Sequence, residues 1–231
     1  MGMLQRIETM LPSFWGKVST ASACWDYKNA ERNGSLEFWG EPWNALSNIA
    51  FPLAAIAVWI VARRRGVTTP ATALLVGLAF LVGAGSFVFH TVPNSITVWM
   101  DRIPIAILQL AFFWLCCRHM LRFSTRSSLA ILACILVSYF TLLPFKMLNG
   151  SIQYFPALLA LLLLGCLWAE RSPKEPYLIV AAGVVFILAL TARTMDWTAW
   201  TKWGLHTHFI WHLCNGGVVY LLLRSWVVHL E

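Results

Sequence analysis

Three imidazoles and two short polar side chains stand at the ends of apolar runs that give them no ordinary use. Ser86-Phe87-Val88-Phe89-His90 closes one such run, and Ser86 and His90, four apart, share a face of any helix drawn through them. Asp101, with Arg102 beside it, opens the next run. His206-Thr207-His208-Phe209-Ile210-Trp211-His212 opens the last one. His208 and His212 are again four apart, the spacing by which one helix offers two imidazoles to one metal ion. Ionisable groups within hydrocarbon are costly, and so are candidates for function.

Neutral His90, His208 and His212 would make a tetrahedral zinc site with one open position, the pattern of catalytic zinc. Zinc there would lower the pKa of a bound water and polarise a carbonyl. Asp101 would act as general base on that water or orient it. Ser86 would hydrogen-bond the oxyanion formed when a carbonyl is attacked. Each residue also has a plainer reading. A lone intramembrane His caps a helix or bonds a carbonyl, Ser86 bonds back to the carbonyl four residues earlier, and Asp101 pairs with Arg102 or caps its helix. His206 and His229 receive no role, and His119 belongs to the opposite end.

An acidic segment precedes the first apolar run: Asp26-Tyr27-Lys28-Asn29-Ala30-Glu31, then Glu37 and Glu41. Its carboxylates and amide are hard oxygen ligands of the kind calcium takes. The other reading is a solvated loop whose acids offset Lys28 and Arg32. Asn44, Ser47 and Asn48 enter the first run and are expected to bond to neighbouring helices.

The elements that must carry these residues follow from composition. The chain has 231 residues, 59% hydrophobic and only 12% charged, with a mean hydropathy of +0.68. Soluble domains carry about 25% charged residues, and a chain this short cannot bury so much apolar surface in one core. Lipid must cover the excess, so the fold class is an all-α integral membrane protein. At roughly 20 residues per crossing, seven spans are expected, at about 44–62, 71–90, 101–118, 127–146, 153–169, 176–193 and 206–227. The whole chain reads as one domain, residues 1–43 forming an interfacial, acidic segment and 44–231 the bundle. Residues 3–15 have helical apolar spacing and suit a short helix on the membrane surface. No secretory signal is evident at the N-terminus.

Loop charges orient the bundle. Arg63-Arg64-Arg65, then Arg118, Arg122 and Arg126, then Arg171 and Lys174, then Arg224 alternate onto one side, which is expected to be cytoplasmic. The N-terminus is then outside and the C-terminus inside, with loops near Pro93, 146–151 and 193–204 outward. The net charge of +7 is therefore a topology signal and not a nucleic-acid footprint. Of the six cysteines, five lie within or beside apolar spans without CxxC spacing, and read as small buried hydrophobes. Under this topology the second span ends outward while the third and seventh begin there. Polar residues and loop charges thus place Ser86, His90, Asp101, His208 and His212 in one leaflet, where a lipid reaches them most easily.

In these residues the chain resembles the alkaline ceramidases, part of the seven-span hydrolase superfamily that includes the adiponectin and progestin receptors. The resemblance lies in Glu41-x-x-Asn44-x-x-Ser47-Asn48, in Ser86-x-x-x-His90 with Asp101 following, and in His208-x-x-Trp211-His212. It implies a seven-helix fold with an external N-terminus, zinc on His90, His208 and His212, and Ser86 and Asp101 in the catalytic site. The implied reaction is hydrolysis of the linear amide of ceramide to a sphingoid base and a fatty acid. It also implies calcium on the N-terminal segment, through Asp26, Asn29, Glu31, Glu41 and the Tyr27 carbonyl. Against the family's run, Asn29 and Glu31 exchange residue types. The wording around Glu41 looks like bacterial members, which would place the chain in an inner membrane (an ER or Golgi membrane for a eukaryotic chain). Two other classes stay open: a receptor-like or scaffold protein with structural zinc, and a haem-binding redox carrier.

Overall fold

A computed structural model describes residues 30–32, 35 and 37–231. The expected surface helix at 3–15, and Asp26, Tyr27 and Asn29 of the calcium set, lie outside the described residues. Within them every regular element is helical. A short helix α1 (Pro42–Ser47) leads into α2 (Ala50–Arg64), followed by α3 (Pro70–Thr91) and α4 (Thr97–Leu115). A π turn (Cys116–Met120) extends α4, and α5 (Thr125–Leu142) follows. A 3-10 segment (Met147–Tyr154) enters α6 (Phe155–Ala169), and then come α7 (Leu178–Trp203) and α8 (His208–His229).

The boundaries have local causes. Thr69 caps α3, its Oγ1 accepting from Thr72 N at 3.2 Å, and Pro70 supplies a first helical residue that needs no N–H partner. Asn94 starts α4 by accepting from the N–H groups of Ile96 and Thr97 at 2.8 and 3.0 Å. Ser124 caps α5 through Ser127 N at 3.0 Å. Gly204, at φ +68, takes the left-handed conformation that ends α7.

Six helical segments are long and apolar enough to cross a membrane: Pro42–Arg64, Pro70–Thr91, Thr97–Met120, Thr125–Leu142, Met147–Ala169 and Leu178–Trp203. Their outward faces carry large apolar side chains such as Leu53, Leu81, Ile103, Val137, Leu159 and Leu188, as a lipid-facing surface requires. Their inward faces hold small ones, including Ala55, Ala79, Ala182 and Ala189, that let backbones approach. The remaining helix, α8, packs against α7, α2, α3 and α1, and is the centre of the bundle. α5 is peripheral, with only Ser128 and Ile135 buried.

Two sequence expectations need correction. The region 193–204 is not an outward loop but the last turns of α7, which runs ten residues past the expected 176–193 span. Its charges Arg193 and Asp196 are buried among polar partners, so they do not end the helix, and Gly204 does. Of the intraspan cysteines, Cys116 and Cys117 are buried as expected, but Cys134 and Cys166 are exposed on lipid-facing sides of α5 and α6.

Candidate metal centre

Close helix packing brings the imidazoles together. Pro104 has no N–H to give Met100, the residue four earlier in α4. The bare Cα of Gly85 lies against that carbonyl, since a Cβ on Gly85 would fall 2.0 Å from Met100 O. This approach seats Ser86 and His90 of α3 beside Asp101 of α4. Gly216 does the same for α8, where a Cβ would fall 2.5 Å from Ala50 Cβ on α2.

His90, His208 and His212 are all buried, and one ligand nitrogen from each lies within 4.8 Å of the others. Their ring centroids are 4.7 to 5.4 Å apart. Tetrahedral nitrogens at the usual zinc distance of about 2.0–2.1 Å are about 3.4 Å apart, so closure on an ion needs movements of an ångström or so.

Hydrogen bonds settle which nitrogens face a ligand. His90 Nδ1 is 2.6 Å from Glu41 Oε2, and a carboxylate only accepts, so Nδ1 carries the proton. Ser47 Oγ donates to Asn44 O at 3.0 Å and sits 2.8 Å from His212 Nδ1. With its one proton committed, Ser47 accepts from His212 Nδ1–H. Both rings thus hold the tautomer whose Nε2 lone pair is available to a metal. An oriented imidazole backed by a carboxylate or hydroxyl is the usual support around a metal ligand. The donor set therefore fits zinc.

This supporting layer is deep. Glu41 is wholly buried and also accepts from Arg32 Nε at 2.5 Å and Asn44 Nδ2 at 3.1 Å. Arg32, itself buried, donates onward to His90 O at 2.8 Å and Glu37 O at 2.9 Å, so its cation closes the C-terminal end of α3. On the other side, the wholly buried Asp196 accepts from the N–H groups of Thr207, His208 and Ala30 at 2.6, 2.9 and 3.1 Å. It caps α8 and fixes where His208 begins. Thr207 Oγ1 pins the same start to α7 through Ala192 O at 2.7 Å.

Ser86, Asp101 and all three imidazoles line one cavity of about 130 Å³. Ser86 is buried, and it makes no hydrogen bond back to its helix among the described residues, unlike Thr91, which bonds Phe87 O at 3.0 Å. Beyond the polar group the cavity wall is mostly apolar, with Phe112, Phe113, Leu161, Phe186, Val219 and Leu223, though Arg102, Gln109 and Asn215 also line it. Arg193 also lines it, its guanidinium held over the rings of Tyr154 and Trp211 at 5.3 and 5.8 Å and donating to Asn149 O at 2.8 Å.

The structure thus brings together all five residues expected at the catalytic site. The two described calcium candidates point different ways. Glu41 faces His90 and Arg32, whereas Glu31 accepts from Trp43 N and Asn44 N at 2.7 and 2.8 Å and so caps α1. Burial raises the Glu31 carboxyl above its ordinary pKa, opposed by those two N–H bonds. Of the polar residues entering the first span, Asn48 bonds back to Asn44 O at 2.8 Å, while Ser47 Oγ and the Asn44 carbonyl both meet His212 across the helices. Sequence reading missed Arg32, Ser47, Arg193 and Asp196 as site residues. Arg193 and Asp196 could have been found from their three-residue spacing, which puts both charges on one face of an otherwise apolar helix. No protein-family model matches the chain, and no curated protein matches it.

Proposed function

We propose that the chain is a zinc-dependent intramembrane amidohydrolase that cleaves a lipid amide, with ceramide the leading substrate. The observation that carries this reading is a shared cavity. Three imidazoles, two of them fixed in the metal-ready tautomer, meet Ser86 and Asp101 at its polar end, and most of the remaining wall is apolar, interrupted by Arg102, Gln109, Arg193 and Asn215. A structural zinc normally takes four protein ligands, and only three candidate side chains cluster among the described residues.

Zinc held by His90, His208 and His212 would supply Lewis acidity and an acidified water. Asp101 takes the proton of the attacking water as its oxygen bonds to the amide carbon, and returns that proton to the amine nitrogen as the C–N bond breaks. Ser86 Oγ–H donates to the carbonyl oxygen as it gains charge. The apolar wall holds the hydrocarbon chains and keeps bulk water out. The products are a fatty acid and a sphingoid base or related amine.

The topology in this reading has seven crossings. α8 has 22 residues, about 33 Å at 1.5 Å each, long enough to span. Its apolarity is diluted by the buried polar residues His208, His212 and Ser225 that face the bundle. The basic residues gather at one end, where Arg65 and Lys174 both reach Glu231 and Arg171 donates to Leu121 O. That supports a cytoplasmic C-terminus, with the metal centre in the outer leaflet.

The test is a lipid-amide assay on purified protein. A His208→Ala, His212→Ala variant should lose ceramide cleavage while remaining folded and extractable. Cleavage at the wild-type rate by that variant would sink the proposal.

A further inference from the structure

The end of the bundle remote from the imidazoles contains a second cavity. Residue His229 of α8 lines it, 21 residues and so about 31 Å along the helix from His208. The cavity has a volume of about 380 Å³ and is enclosed by the π turn after α4, the C-terminus of α6, the segment that follows it and the last turn of α8.

Its polar wall is mainly cationic. Arg122, Arg171 and Lys174 are its cations, Ser172 and His229 add polar groups without a fixed charge, and Glu231 is the one acid among the lining residues. That acid is already engaged, by Arg65 and by Lys174 Nζ at 3.7 Å. Arg171 gives one N–H to Leu121 O, which leaves the rest of its fork. Arg122 is exposed and has no hydrogen bond or ion pair among the described residues.

A second observation is independent of charge. Trp168 forms part of the wall, 4% exposed, with its ring centroid 5.8 Å from that of His229. Its buried Nε1 meets no acceptor among the described residues. A buried indole N–H ordinarily finds one, and the Arg122, Arg171 and Lys174 side chains of the same wall are donors too. The complement of such a wall is an anion with several acceptor oxygens, and a guanidinium fork suits phosphate. The cavity also sits at the end of the crossings, the depth at which phospholipid phosphates lie.

We propose that this cavity binds a phosphate-bearing anion, either the headgroup of an anionic phospholipid or free inorganic phosphate. The site is separate from the metal centre and does not depend on what reaction occurs there.

Thermal melting of the purified full chain in detergent tests it, with phosphatidylglycerol, phosphatidylcholine or inorganic phosphate added separately. Phosphatidylglycerol is expected to raise the midpoint, while phosphatidylcholine, whose ammonium cancels the phosphate charge, leaves it unchanged. A rise with inorganic phosphate alone would assign the site to the free ion, and a rise with phosphatidylglycerol alone to the lipid. Arg122→Gln removes a side chain without protein partners, so the fold should survive. Each cation removed should weaken binding about fivefold, and Trp168→Phe, which keeps the ring and removes the donor, should weaken it again. Equal midpoints with all three additives, or unchanged binding in both Arg122→Gln and Trp168→Phe, would overturn the proposal.

Discussion

The two ends of the bundle handle charge in opposite ways. At the imidazole end Arg32, Glu41 and Asp196 are buried and saturated with hydrogen bonds. At the other end the pairs Arg65–Glu231, Lys174–Glu231 and Arg224–Glu175 all reach solvent or headgroups. Charges taken out of water must be paired well or the fold does not hold them, whereas exposed pairs contribute little. Geometry is thus fixed by buried ion pairs and hydrogen bonds at the imidazole end, whereas the pairs at the basic end lie nearer the surface and fix less.

The largest expected break in this contrast is Glu41→Ala. It leaves the Arg32 guanidinium buried without its carboxylate and frees His90 to turn. Removing one partner of a buried ion pair costs about 3–5 kcal/mol, and loss of an orienting carboxylate weakens metal affinity about 10–100-fold. Thermal melting and a zinc competition titration would read both. A melting point within a degree or two of wild type would mean that Glu41 is not the keystone described above.

Gly85→Ala should come next. A methyl group there collides with Met100 O and must push α3 from α4, at about 1–3 kcal/mol. Because Ser86 and His90 sit on α3 and Asp101 on α4, zinc affinity and the rate of the proposed lipid-amide cleavage should both fall. Wild-type zinc affinity and rate in the variant would show that this close approach does not position the site.

Glu175→Gln should have the smallest effect. Hydrogen bonding to Arg224 holds the Glu175 carboxyl below its ordinary 4.5, partly offset by burial. A depressed carboxylate stabilises the fold above its unfolded pKa and loses that contribution as pH falls through the folded value. The variant should therefore melt slightly below wild type at neutral pH, by less than about 1 kcal/mol, and the two curves should merge in acid. A large destabilisation at pH 7 would remove the contrast between the ends.

Much of the site was legible because its residues break a pattern. Ser86 with His90, and His208 with His212, share helix faces at a spacing of four, in runs where polar groups stand out. The supporting layer was not, because it is assembled by tertiary contact: Glu41 is 49 residues from the ring it orients and Arg32 is 58 from the carbonyl it caps. Asp196 is hard to read because charges within an apolar run look like a loop, whereas the helix runs on through them to Gly204. The crossings were legible by length and apolarity for six segments. α8 is less apolar than those six because His208, His212 and Asn215 lower its hydropathy. The break between α1 and α2 at Asn48 and Ile49 is marked by Pro52, which has no N–H to give the Asn48 carbonyl four residues earlier.

Whether the three imidazoles hold zinc is read by elemental analysis of the detergent-purified protein beside its His208→Ala, His212→Ala variant, both prepared without chelator. About one zinc per wild-type chain is expected, and none in a variant whose helical circular dichroism is unchanged. Wild-type protein free of zinc, or a folded variant that retains it, would contradict the metal centre.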